Sequence, residues 1–156
     1  MTSFHHQRLL PATPAQVFAA IADPARLARW WGPAGFRNSF QHFDFRVGGR
    51  WQFTMHGPDG RDYPNESEFL HIAPDLVKLR HVCAPFFELS IGLQATAQGT
   101  RVDWLQVFDD PQVAAAVRAI VEPANEQNLD RLAAELASGP ASTQGEIPPR
   151  VDRLAT

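Results

Sequence analysis

The stretch Arg50-Trp51-Gln52-Phe53-Thr54-Met55-His56-Gly57-Pro58-Asp59-Gly60 decides what kind of chain this is. Trp51, Phe53 and Met55 alternate with Gln52, Thr54 and His56, which describes a strand with one apolar and one wet face. Gly57-Pro58-Asp59-Gly60 then turns the chain, because proline presets one dihedral and glycine accepts positive φ. Outward from this hairpin the same grammar repeats. Phe36 to Phe45 precedes it, joined through Gly48-Gly49. Glu66 to Ile72, Leu76 to Val82, Phe87 to Leu93 and Thr100 to Phe108 follow, with turns at Ala73-Pro74-Asp75 and Gln98-Gly99. Strands joined by such short turns pair antiparallel, as a meander without crossovers.

Helices flank this run. Phe4 to Leu10 is a first strand, stopped by Pro11. Thr13 as cap, Pro14 at the first helical position and Gln16 three residues after the cap predict a capping-box helix carrying Val17, Phe18 and Ile21. Asp23-Pro24 starts a second short helix with Leu27, Trp30 and Trp31, ending at Gly32-Pro33. At the far end, Asp110-Pro111 opens a long helix that Gly139-Pro140 stops. Its expected buried stripe is Val113, Val117, Ile120, Val121, Ala124, Asn128, Leu129, Leu132 and Leu136, with a kink or break near Pro123. Residues 1–139 form one domain on this reading. Residues 140–156 are a Pro-, Ser- and Thr-rich tail whose Ile147, Val151 and Leu154 are placed to dock on the body or on a partner, so a homodimer is open.

The order is strand, two short helices, about six strands, one long helix, an α+β architecture. A twisted antiparallel sheet of six to seven strands must cover one face, and the last helix is the one element long enough to do so. One helix cannot fill the concavity of such a sheet, and the gap is the expected site, at about 300–1,000 Å³. Its expected lining is Trp51, Phe53, Met55, Phe87, Trp104 and one of Trp30 or Trp31, with His81 and Gln106 as polar contacts.

Composition narrows the function. The 156 residues hold eleven Phe and four Trp against one Tyr, an aromatic area that suits a pocket as well as a core. A net charge of −3 argues against a nucleic-acid partner, which calls for a basic surface. One cysteine, Cys83, makes an intrachain disulfide impossible. The first residues carry no signal pattern and no apolar run reaches the roughly 20 residues of a membrane span, so a soluble, cytoplasmic protein without membrane attachment is expected.

Several of these segments are familiar as words. Thr13 to Phe18 (Thr-Pro-Ala-Gln-Val-Phe), Asp23 to Pro33 (Asp-Pro-Ala-Arg-Leu-Ala-Arg-Trp-Trp-Gly-Pro), Gly48 to Trp51, His56 to Gly60, Phe69 to Val77 and Leu129 to Ala133 occur in this order and spacing. Together they resemble bacterial members of the family named for the ATPase activator of the ninety-kilodalton heat-shock chaperone, within the START/birch-pollen-allergen-like (SRPBCC) superfamily. The resemblance spans about residues 4 to 138. It implies the helix-grip fold, a curved antiparallel sheet wrapped around a long C-terminal helix. It also implies a superfamily whose members bind lipids, hormones or polyketides or catalyse cyclisation, dehydration or hydrolysis. The chain departs from its relatives at Asn65-Glu66-Ser67-Glu68 and at Asn125 to Asn128, both expected on the pocket wall.

Three function classes follow. The leading one is binding of a small apolar or aromatic molecule in the cavity. The second is an enzyme of the cyclase, hydratase or hydrolase kind, in which His81 meets Glu66 or Glu68 as an acid–base pair. It requires the strand of Glu66 and Glu68 to bury its even positions with Leu70 and Ile72; otherwise those carboxylates are exposed and His81 satisfies a backbone carbonyl. The third is a co-chaperone-like interaction module with a filled interior. The six histidines (His5, His6, His42, His56, His71, His81) form no His-Glu-x-x-His frame, so no metal and no cofactor is expected. Gly48-Gly49 lacks the strand-to-helix setting of a phosphate loop, and no serine sits in a nucleophile elbow. Cys83, at a strand end, reads as a small buried hydrophobe.

Overall fold

The computed structural model describes residues 2–139, so the tail lies outside the described residues. The elements run β1 (Ser3–Leu10), α1 (Pro14–Ala22), α2 (Pro24–Trp30), β2 (Arg37–Phe43), β3 (Arg50–His56), β4 (Asp62–Ala73), β5 (Leu76–His81), β6 (Phe87–Thr96), β7 (Gly99–Phe108) and α3 (Pro111–Ser138). One seven-stranded sheet has the order β1-β7-β6-β5-β4-β3-β2. Every pairing is antiparallel, and β1 closes on β7 to bring the chain's start against its last strand. The sheet curves around α3, the helix-grip arrangement.

Local chemistry accounts for the element ends. Thr13 accepts from the Gln16 backbone and Gln16 returns the bond to the Thr13 N–H, a full capping box. Asp23 caps α2 and Asp110 caps α3, each followed by proline. α2 stops at Trp30, one residue earlier than predicted, and Trp31 is its extended C-cap. Gly48, at φ 81°, and Gly49 form the β2–β3 connection; a Cβ at Gly49 would overlap the Asp44 carbonyl. These two glycines hydrogen-bond to both backbone polar groups of Phe69, tying the connection to β4.

β4 departs from the predicted pattern. Its buried residues are Ser67 and Phe69, at odd positions, and its register shifts between Phe69 and His71. This bulge lets Phe69 and Ile72, three apart, both pack into the core. The alternation of Leu70 and Ile72 therefore cannot be carried back to Glu66 and Glu68. Those carboxylates lie on the outer face, where Arg50 of the paired β3 reaches both, at 3.0 and 3.7 Å.

α3 is continuous through Pro123, packs apolar side chains on the sheet in two places, and is bonded through Glu126 and Asp130 to His6 and Arg8 of β1. Near its start, Ala114 is fully buried with Phe4 and Phe108, and Val113, Val117 and Val121 pack around them. Near its end, Leu129 and Leu132 enter the main core with Val17, Leu27, Trp30, Trp51 and Phe69. Ile120, predicted in the buried stripe, is 71% exposed. The buried face instead steps through Val121, Asn125, Asn128, Leu132 and Glu135 by alternating fours and threes, and Ile120 falls off its edge.

Candidate functional site

Between the two apolar clusters α3 is tied to β1 and β7 by polar bonds and stands off β3 to β6. The space left there is a cavity of about 250 Å³, somewhat below the predicted range. Its floor comes from β3 to β7 through Phe53, Met55, Leu79, Phe87, Leu89 and Trp104. Its roof comes from α3 through Val121, Ala124, Asn125 and Asn128, and Trp31, Gly32 and Pro33 close one side. Ile120 of α3 borders the cavity and is exposed to solvent. Among the described lining residues none bears a fixed charge, and His81 is the one titratable group.

The two tryptophans after Asp23 divide their work. Trp30 is wholly buried, its indole donating to the Ala20 carbonyl at 3.0 Å, and it does not reach the cavity. Trp31 leaves the helical path and lies on the wall, with ring centroids 5.0 Å from Trp51 and 5.7 Å from Trp104. Trp51 stands behind it, stacked on Phe53 at 4.1 Å, and does not line the cavity either. The loop bearing Trp31 is held from α3: Arg131 donates to the carbonyls of Arg29, Trp31, Gly32, Pro33 and Phe36. A cation set among the spent carbonyls at the end of α2 is favourably placed. Burial holds the Arg131 guanidinium below its ordinary pKa. Arg26 and Arg29 meet Glu135 at 2.9 and 2.7 Å, joining the same two helices again.

His81 is the polar end of β5. Nδ1 donates to the Pro85 carbonyl at 2.7 Å, the ring stacks on Phe87 at 4.6 Å, and Nε2 faces the Asn65 side-chain oxygen at 2.7 Å. The Cys83 sulfur is 3.4 Å from Nε2. Two acceptors invite a doubly protonated ring, yet burial opposes that charge more strongly. The imidazole is held below its ordinary pKa by burial, partly offset by hydrogen bonds at Pro85 and Cys83. Among the described residues no carboxylate reaches it: the β4 side chains facing His81 are Asn65 and Ser67, because odd positions of that strand point inward. The His81–Glu66/Glu68 acid–base pair is thus not formed, for the register reason given above.

Gln106 is buried on β7 and accepts from Asn125 Nδ2 of α3 at 3.0 Å. Asn128 Nδ2 donates to the Trp30 carbonyl at 2.8 Å. Asn65, Ser67 and Asn125 were not singled out individually as site residues from sequence. The readable signal for Asn125 and Asn128 is polarity at apolar spacing, since both fall in step with Val121 and Leu132. Asn65 and Ser67 left no such trace, because the bulge hides which side of β4 faces inward.

Among the described residues no group of three or more His, Cys, Asp or Glu is placed to hold a metal, and no helix is long and apolar enough to cross a membrane. The fold matches solved structures of bacterial proteins. One from Arthrobacter aurescens superimposes with a TM-score of 0.82 at 22% identity, covering 94% of each chain. One from Nitrosomonas europaea gives 0.80 at 20% identity, covering 88% of this chain and 95% of that one. One from Chromobacterium violaceum gives 0.75 at 23%, covering 86% and 96%. At such identities the likeness concerns the fold alone. No curated protein matches the sequence. The model of one family, however, matches residues 11–137, most of the chain and all of its site-bearing elements, and the chain belongs to that family, described as Activator of Hsp90 ATPase homolog 1-like protein.

Proposed function

We propose that this protein binds a small apolar or aromatic molecule between its sheet and α3. The observation that supports the reading is the unfilled space itself: two packed anchor clusters hold the helix off a floor of Phe53, Phe87, Leu89 and Trp104. An empty apolar cavity forfeits dispersion contacts, and a ligand of the right shape restores them. The interaction-module reading wants a filled interior and fits this less well. The enzyme reading lacks its carboxylate among the described residues.

Naphthalene is a suitable first probe. Titrated into isotope-labelled protein, it is expected to give saturable shifts in the side-chain amide signals of Asn65, Gln106, Asn125 and Asn128. Ala124→Phe, which puts a ring into the cavity, is expected to abolish those shifts while the circular dichroism spectrum stays unchanged. No saturable shift with the wild type from naphthalene or from any of its uncharged polar derivatives, or undiminished shifts with the variant, overturns the reading.

A further inference from the structure

The cavity's polar groups define which apolar molecule it takes. Gln106 and Asn125 share one hydrogen bond, which uses one carbonyl and one N–H. An amide pair joined by a single bond leaves one N–H₂ and one carbonyl over, whichever way round the two amides sit. Neither remaining group has a partner among the described residues, and both side chains line the cavity while being more than nine-tenths buried. Asn128 adds to this. The carbonyl of Trp30 can only accept, so the Asn128 N–H₂ is committed to it and the Asn128 carbonyl is left over. Asn128 is 5% exposed and also lines the cavity. These three amides thus leave one N–H₂ and two carbonyls over on neighbouring positions of β7 and α3, in a chamber with no Lys, Arg, Asp or Glu on its described walls. The indole N–H of Trp104, on the same strand as Gln106, is also without a partner among the described residues.

We propose that the ligand is an uncharged aromatic molecule bearing an amide-like group, a carboxamide or lactam, whose carbonyl accepts from the Gln106–Asn125 pair and whose N–H donates to a leftover carbonyl. This rests on the cavity-binding reading above. A carboxylate presents only acceptors and would enter without a cation to meet it. An ammonium would lose its hydration against neutral carbonyls. Each is penalised by desolvation that the walls do not compensate. A plain hydrocarbon fits the floor but leaves buried amides unpaired, the situation that lets a polar site reject the analogue lacking the matching group.

A matched series tests this at neutral pH: naphthalene, 2-naphthamide, 2-acetonaphthone and 2-naphthoate, with dissociation constants from calorimetry or chemical-shift titration. The amide both donates and accepts, the ketone only accepts, and the carboxylate is charged. The expected result is that 2-naphthamide binds at least about ten-fold more tightly than the ketone, the worth of one good buried hydrogen bond, and more tightly still than the carboxylate. In Gln106→Met or Asn125→Leu the ratio of amide to ketone affinity is expected to fall to within about two-fold; should one variant not fold, the other serves, and the wild-type series stands by itself. If naphthalene binds but the ketone or carboxylate equals the amide, the amide assignment is overturned and the cavity reading survives. If no member of the series binds, the cavity reading fails and this inference with it.

Discussion

At the scale of single residues, His81 is a side chain whose charge state is tied to the fold. Burial lowers its pKa in the folded protein, whereas in the unfolded chain it titrates near its ordinary value of about 6.5. The sign follows from which state binds the proton. Below that value the unfolded chain takes up protons that the folded protein refuses, so the stability His81 contributes is present above about pH 6.5 and is lost as pH falls toward the lower folded value. Urea midpoints measured from about pH 8 down to about pH 5 are expected to drop more steeply for the wild type than for His81→Gln. Equal slopes would show that His81 is as readily protonated folded as unfolded. The position of His81 on an inward face was legible, because Val77 and Leu79 share its alternation. Its contact with Asn65 was not, because Asn65 sits on β4 beyond a bulge that no period-two count of Leu70 and Ile72 can detect.

Among elements, the joint between α2 and α3 governs the cavity wall, since the chain leaving α2 carries Trp31. Glu135, buried on α3, takes hydrogen bonds from Arg26 and Arg29. Burial pushes its carboxyl upward in pKa, but the two guanidinium groups outweigh that and hold it below the ordinary value. Removing the carboxylate leaves Arg26 buried without its counter-charge. Glu135→Ala is therefore expected to cost about 3–5 kcal/mol in denaturant melts. A loss well under 1 kcal/mol would mean that water or a neighbour replaces the carboxylate and that the joint rests on Arg131 and apolar contacts instead. The two helices were readable from their caps and prolines, signals contained within a few residues. The ion pair spans 109 positions, and no local pattern announces it. Glu135 does fall in step with Leu132 and Asn128, so a charged residue on the buried face was visible as an anomaly without its partner.

For the molecule as a whole, seven strands and the long helix were legible because alternation and turn residues act locally and the covering helix follows from the sheet's size. What sequence could not supply is where α3 rests and where it stands clear, since that depends on contacts between chain segments a hundred residues apart. The helix packs apolar side chains on the sheet at two ends, and between them polar bonds to β1 and β7 hold it over the hollow; Pro123 falls inside that span. Having no N–H, Pro123 leaves the Ala119 carbonyl without its helical partner, and both residues face water. Such a span is a beam with its weakest cross-section over the opening, and it yields in the middle before it leaves its bearings. Amide hydrogen exchange is accordingly expected to be faster across residues 119–128 than across residues 129–136, and to slow in the first stretch when naphthalene is added. Uniform exchange along α3 would mean that the helix moves as a rigid rod. A guest would then enter past Ile120 without the roof bending, and the rate of entry would be set by side-chain motion at the rim and would ignore the proline.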